Sequence, residues 1–232
     1  MKRSFEVATG RGVAPFEAAG RPDALERLLP GSGPWEIEVG FGKGRFLLAR
    51  AASDPECRFL GIELAGEYFR LVARRLARHG LENVALVHGE ALALLATTVP
   101  RALARAVHVY FPDPWPKSRH QRRRLFAPGS LDLVLGALAP GGRLAFATDH
   151  LEYGEAVAAL LAGVPGLALR RLEGGWSEGA RTNYEAKYVA EGRTIVRLEA
   201  TLVGPLRRHP DANLALALGP GGHRAAAPPE DR

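Results

Sequence analysis

Between the strand-like run Trp35-Glu36-Ile37-Glu38-Val39 and a stretch with helical spacing from Gly44 to Ala52 stand three glycines at alternate positions, in Gly40-Phe41-Gly42-Lys43-Gly44. The order strand, glycine turn, helix constrains this chain more than any other feature. The backbone must turn tightly there, and three missing side chains leave room for something to approach it closely. The alternation then continues. Asp54-Pro55 breaks the helix, a strand is predicted at 58–62, a helix from about Gly66 to His79 and a strand at 84–87. Further strands are predicted at 106–111 and 143–148, separated by a helix-like stretch at 130–138 and the turn Pro140-Gly141-Gly142. Repeated alternation of this kind argues for an α/β fold with a parallel sheet and helical crossovers.

The ends of the chain read differently. Residues 1–20 show no clear period and contain Gly10, Gly12, Pro15 and Gly20, so an irregular N-terminal arm is expected, followed by a short helix at 23–29. A helix at 152–161 precedes a run at 167–172, a loop at 173–184 and a last strand around 194–202; two strands in succession suggest a hairpin closing the sheet edge. From Gly204 the chain turns to Pro, Arg, Ala and Gly, and a basic, partly disordered tail over 204–232 is expected. The folded domain is placed at 21–203. With 232 residues, 47% of them hydrophobic, one core-bearing domain is the expected size.

Composition removes several classes. No apolar run reaches the eighteen or so residues of a membrane span, and the start of the chain lacks a signal-peptide core, so a cytoplasmic protein is expected. The lone cysteine, Cys57, has no partner at disulfide or metal-ligand spacing; it reads as a small buried residue, and no metal site is expected. Net charge is +6, and all but four of the 31 basic residues are arginine, whose planar fork suits phosphate. GC-rich coding would give the same balance, so charge alone leaves the partner open. A monomer or homodimer is compatible with the sequence.

The glycine turn lacks the third glycine of a dinucleotide fingerprint, since Arg45 stands in its place, and it lacks the Gly-Lys-Ser/Thr of a phosphate loop. An acid, Glu38, precedes it instead. That suits a cationic ligand such as S-adenosylmethionine, which carries a sulfonium and an ammonium group and no phosphate. The next strand ends in Gly61-Ile62-Glu63, where Glu63 is placed to accept from ribose hydroxyls; after the third, in His88-Gly89-Glu90, Glu90 could meet an adenine amino group. Each feature singly could be an ordinary strand-to-helix connection, but an acid after each of three successive strands favours a nucleoside cofactor.

The stretch Val109-Tyr110-Phe111-Pro112-Asp113-Pro114-Trp115-Pro116 begins at a strand end, where open parallel sheets bind ligands. Its prolines stiffen a loop presenting Asp113 and Trp115, and six basic residues follow within positions 117–124. Trp115 could stack on an extruded base while the adjacent arginines, Arg119, Arg122, Arg123 and Arg124, hold its backbone. Asp149, after another strand end, is read as facing the same site, with capping of the next helix as the alternative.

These residues resemble the tRNA (guanine-N7)-methyltransferase family, in the Pro-Asp-Pro-Trp loop with its basic run, Glu38 with the glycine turn, Gly61-Ile62-Glu63, Ala147-Thr148-Asp149 and Thr182-Asn183-Tyr184-Glu185. The likeness runs from about Trp35 to Ala200. It implies a Rossmann-like class I methyltransferase fold, a mostly parallel seven-stranded sheet with an antiparallel last strand, S-adenosylmethionine as cofactor, and a guanosine of the tRNA variable loop as target. By the same resemblance Glu38, Gly40, Gly42, Gly44, Glu63, Glu90 and Asp113 line the cofactor and catalytic site, with Asp113 catalytic. Lys117, Arg119, Asp149, Thr182, Asn183, Tyr184 and Glu185 would contact the substrate. Two positions depart from the family pattern: Glu90 replaces the usual Asp, and His150 stands where Trp is frequent. A small-molecule or protein methyltransferase would not need the arginine cluster, and an RNA-binding protein without catalysis would not need Glu38, Glu63 and Asp113 together.

Overall fold

The computed structural model describes residues 4–10, 12–17, 23–115 and 124–206. Five strands form the parallel centre: β3 (Trp35–Val39), β4 (Arg58–Glu63), β5 (Val84–His88), β6 (Ala104–Tyr110) and β7 (Leu138–Thr148). At one edge β8 (Leu167–Arg171) and β9 (Val196–Leu202) make the antiparallel hairpin that two successive strands suggested, β9 lying against β7. At the other edge β1 (Ser4–Thr9) and β2 (Gly12–Glu17) add a second hairpin, β1 pairing antiparallel with β5. The order is β2-β1-β5-β4-β3-β6-β7-β9-β8.

The sheet therefore has nine strands where seven were expected, and the N-terminal segment is not an irregular arm. Of the glycines that argued for irregularity, Gly10 and Gly12 lie at the hairpin turn, and Pro15 lies on the outer strand, the part of a sheet that tolerates proline. Phe5 and Val7 are buried, so the segment belongs to the domain core. The tail from residue 207 lies outside the described residues.

Helices α1 (Ala24–Leu28), α4 (Ala91–Thr97), α5 (Pro128–Gly136) and α6 (Leu151–Ala162) pack on one face of the sheet around Trp35, Ile37, Val107, Leu131, Phe146 and Tyr153. Helices α2 (Arg45–Ser53) and α3 (Gly66–His79) cover the other face over β4 and β5. Next to them the segment 172–195, including α7 (Asn183–Ala190), covers β6, β7 and β9 through Trp176, Leu172 and Ile195. Neither α4 nor α7 was expected. Both are short, and both begin on a side-chain cap rather than on an apolar period: Glu90 for α4 and Thr182 for α7. No helix among the described residues is long and apolar enough to cross a membrane.

β3 is buried along its whole length, yet it carries two acids on one face. Glu36 is fully satisfied. Its Oε1 accepts from Arg50 Nη2 at 2.8 Å and Arg105 Nε at 2.9 Å, and its Oε2 lies 3.2 Å from His108 Nε2. Burial alone would raise its pKa; the His108 and Arg50 contacts outweigh burial and hold it at about 2. Asp54 and Cys57 converge on Glu36 within 4.8 Å. Asp54 is paired with Arg50 and Arg105, and burial pushes the Cys57 thiol up to about 12, its Sγ donating to the Pro34 carbonyl. The cluster is a structural knot between β3, β6 and α2.

A carboxyl held near 2 in the fold contributes stability that is present above its unfolded value of about 4.5 and is lost as pH falls toward 2. Glu36→Gln should thus cost about 2 kcal/mol at pH 7, less than for a fully enclosed pair because Arg105 reaches solvent. In urea titrations the deficit should shrink as pH is lowered below about 4.5.

Candidate active site

The C-terminal ends of β3, β4, β5, β6 and β7 meet along one edge of the sheet, where ligands bind in open α/β folds. At the end of β3, Glu38 is 2% exposed and its Oε2 has no hydrogen-bond partner. Burial first, and the charge of Glu63 second, raise its carboxyl to about 8, against a backbone hydrogen bond from Leu47. A buried carboxyl with one oxygen left unpartnered is costly in a stable fold and points to a cationic partner.

The glycines divide into two roles. Gly40 and Gly42 have φ of 73° and 49°, and a Cβ at either would meet nothing within 4 Å, so their backbone lies open to a ligand. A Cβ at Gly44 would lie 2.8 Å from Val72, so this glycine also serves the packing of α2 against α3. Glu63, at the end of β4, crosses to the turn: its Oε2 accepts from Gly42 N–H at 2.9 Å and its Oε1 from Ala65 N–H at 2.8 Å. Burial chiefly, with Asp113 among the lesser causes, raises its pKa, which places Asp113 within electrostatic reach of the same crevice. Glu90 sits at the end of β5, but its oxygens accept from Leu92 N–H at 3.0 Å and Ala93 N–H at 2.7 Å, so its first task is to start α4.

After β6 the chain enters the proline loop under strain. Phe111 and Trp115 hold left-handed backbone, φ 52° and 40°, on either side of exposed Asp113. Each such residue costs on the order of 1–3 kcal/mol and persists only where its surroundings enforce it. Two tethers do so. Phe111 N–H donates to the Ala147 carbonyl at 2.7 Å, and Arg124 Nε donates to the Pro114 carbonyl at 2.7 Å. Arg124 is buried with its guanidinium 4.7 Å from the Tyr153 ring centroid. It braces the loop, a role that its place in the basic run does not announce. Lys117, Arg119, His120, Arg122 and Arg123 lie outside the described residues.

On the other side of the crevice, Asp149 does not cap α6; His150 does, its Nδ1 accepting from Tyr153 N–H at 3.2 Å, and Asp149 pairs with Arg193 at 3.1 Å. In the segment 182–185, two residues build and two are presented. Thr182 caps α7 by accepting from Glu185 N–H at 3.0 Å. Glu185 is 0% exposed, held by Arg197 Nε at 2.6 Å and Arg181 N–H at 2.7 Å, so it anchors the segment. Asn183 is exposed, as is Tyr184 at 45%, whose ring lies 6.4 Å from that of Phe111. Tyr68 of α3 is near enough for Tyr184, after burial, to help raise its pKa to about 12.

Sequence reasoning missed the wall behind these groups. Arg181 donates to the Tyr110 hydroxyl at 2.7 Å and packs 3.8 Å from the Trp176 ring centroid, and Tyr110 lies 3.0 Å from His108 Nδ1. The chain of contacts joins Glu36 to the α7 segment. His108 and Tyr110, alternating with valines at the end of β6, were its signal.

The family described as putative methyltransferase matches residues 32–198. A tRNA (guanine-N(7)-)-methyltransferase of Nitrosococcus oceani is 36% identical over 190 residues, 74% of this chain and 80% of that protein. The protein of the same name from Geobacter metallireducens is 33% identical, over 84% of this chain and 94% of its own length. The chain belongs to the tRNA (guanine-N7)-methyltransferase family. Among solved structures, the 16S rRNA methyltransferase KamB matches 85% of this chain and 99% of its own, with TM-score 0.60 at 16% identity. The 16S rRNA (adenine(1408)-N(1))-methyltransferase of Catenulisporales acidiphilia matches 87% and 98%, with TM-score 0.57 at 19% identity. Both likenesses concern the fold, and in this methyltransferase the glycine turn, Glu38 and the Asp113 loop all fall inside the matched family region.

A folded acid raised to about 8 keeps a proton that the unfolded chain releases near 4.5, so it lowers stability progressively as pH rises between those values. Glu38→Gln should therefore make this methyltransferase more stable at pH 9 by about 2–3 kcal/mol, after the cost of an unpaired amide, with a smaller gain at pH 6. Denaturant unfolding at the two pH values checks this; equal stability at pH 9 would show that Glu38 is not held unpaired.

Proposed function

We propose that this methyltransferase transfers the methyl group of S-adenosylmethionine to N7 of a guanosine in the variable loop of tRNA. The observation that carries the reading is the buried Glu38 carboxyl, one oxygen of which has no partner, beside the open glycine turn, with the strained Asp113 loop at the same sheet edge.

The residues fit such a cofactor. Glu38 would meet its cationic amino-acid end, and the bare backbone of Gly40 and Gly42 would let it lie close. Glu63 retains lone pairs for ribose hydroxyls beyond the two backbone bonds it accepts. Glu90, at the rim, would meet the adenine amino group with what its capping role leaves free. When bound, S-adenosylmethionine supplies an activated methyl group.

Guanine N7 has an exposed lone pair and no proton, so no general base is needed to create the nucleophile. The protein's contribution is then alignment, an effect that reaches roughly 7–11 kcal/mol at its upper end. Asp113, held out by the left-handed residues on either side, would hydrogen-bond the base and stabilise the positive charge that develops on the purine. Asn183 and Tyr184 present the exposed groups of the opposite wall, and Asp149 would receive substrate through exchange of its Arg193 partner. Lys117, Arg119, Arg122 and Arg123 would serve the RNA phosphates.

Two tests follow from this division of labour. With tRNA transcripts as acceptor, Asp113→Ala should lower turnover by about 100-fold or more and leave S-adenosylmethionine affinity near that of the parent, while Glu63→Ala should mainly weaken the cofactor. A normal methylation rate from Asp113→Ala would overturn the assignment. Because Glu38 is neutral below about 8, capture of a cation should expel its proton, and S-adenosylmethionine affinity should strengthen as pH rises from 6 toward 8. Calorimetry in buffers of different ionisation enthalpy reads that proton directly.

A further inference from the structure

Helix α3 leaves the crevice directly after Glu63 and buries Phe69, Val72, Ala73 and Leu76 against the sheet. Its opposite side carries Arg70, Arg74 and Arg78, all exposed and four residues apart. Side chains at that spacing share one helix face, with a rise of about 6 Å between successive members. Elsewhere in this fold arginines meet carboxylates: Arg50 and Arg105 hold Glu36, Arg197 holds Glu185, Arg193 holds Asp149. Among the described residues no carboxylate pairs with Arg70, Arg74 or Arg78, and Glu67, the one acid of α3, is not an ion-pair partner of theirs. Like charges four apart on a helix repel, so the row works against the helix that carries it.

The surface continues beyond the helix. Arg75 Nη1 donates to the Lys43 carbonyl at 2.7 Å, which fixes α3 beside the glycine turn, where Lys43 and Arg45 are also exposed. No aromatic residue and no large apolar residue is exposed between the three arginines, only Ala77. This stretch of α3 has no exposed ring on which to stack unpaired bases and no exposed large apolar side chain to insert into a lipid interface. What remains is a row of planar cations at a spacing suited to successive phosphates of a nucleic-acid strand.

We infer that the solvent face of α3 is a second RNA-docking surface, with Arg70, Arg74 and Arg78 holding backbone phosphates of a duplex arm of the tRNA whose target guanosine lies at Asp113. The inference rests on the tRNA reading above. It adds a contact, on a different element from the basic run at 117–124, that reads shape and charge and carries no sequence information.

The test replaces the three together, Arg70→Gln, Arg74→Gln and Arg78→Gln, beside a charge-keeping set, Arg70→Lys, Arg74→Lys and Arg78→Lys. In full-length enzyme with whole tRNA, the glutamine set should raise KM for tRNA by roughly tenfold or more and flatten the slope of log affinity against log salt by about 2–3. The lysine set should keep most of the slope, and both should bind S-adenosylmethionine as the parent does, which reports an intact fold. On a short stem-loop carrying only the target guanosine, parent and glutamine set should bind alike. An unchanged salt slope with whole tRNA, in a parent enzyme that methylates tRNA, would overturn this inference and leave the proposed function standing. A parent that neither binds nor methylates tRNA would overturn both. Binding of the parent to phosphatidylserine vesicles, lost in the glutamine set, with an unchanged tRNA slope, would assign the face to a membrane surface and overturn the RNA reading.

Discussion

Two carboxyl groups on one face of a central strand, two residues apart, are in opposite electrostatic states, and the rest of the structure is arranged around that difference. Glu36 is saturated by Arg50, Arg105 and His108 and stays ionised far into acid. Glu38, as deeply buried, has an oxygen with no partner and holds its proton to about 8. Burial raises both; cationic partners outweigh it at Glu36, whereas at Glu38 the charge of Glu63 adds to it. The fold provides those partners at the end of the strand away from the crevice and withholds them at the end where the glycine turn opens. A site built this way is stabilised by its ligand rather than before it.

The same economy governs the proline loop. Left-handed backbone at Phe111 and Trp115 would relax if the loop were free, and it is kept by the Ala147 carbonyl on one side and by Arg124 on the other. Arg124 is in turn stacked on Tyr153, whose ring packs at 90° to Phe146 in the core. The exposed Asp113 is thus connected through two side chains to the packed centre of the sheet. Opposite it, Tyr184 is presented by α7, whose start is fixed by Thr182 and by Glu185 in the grip of Arg197. Rigidity on both sides of the crevice is what a reaction dependent on alignment requires.

Much of this was legible in the chain. The alternation of apolar runs with glycine turns located the five parallel strands and the closing hairpin, because buried strands of a parallel sheet cannot tolerate many other patterns. The acids at strand ends and the loop around Asp113 announced the crevice. What escaped had weak local signals. The N-terminal hairpin has one edge strand with Pro15 and exposed Val13 and Ala14, so it lacks the alternation of a strand with one dry face. Gly44 looks like its neighbours until Val72 is placed against it, and Arg124 looks like Arg123 until Pro114 and Tyr153 close over it. Glu90 and Glu185 have the residue type of ligand-facing acids, yet each is engaged by backbone or a buried arginine. Residue type is written in sequence, whereas which partner reaches a carboxylate first is decided by tertiary packing.

The most direct test of the whole account is to incubate the purified protein with S-adenosylmethionine labelled in its methyl group and unmodified tRNA transcripts, and to map the label by strand cleavage chemistry specific for 7-methylguanosine. The account predicts label at N7 of a single guanosine in the variable loop. Label on another atom or another nucleotide, or none in tRNA from protein that binds the cofactor, would contradict it.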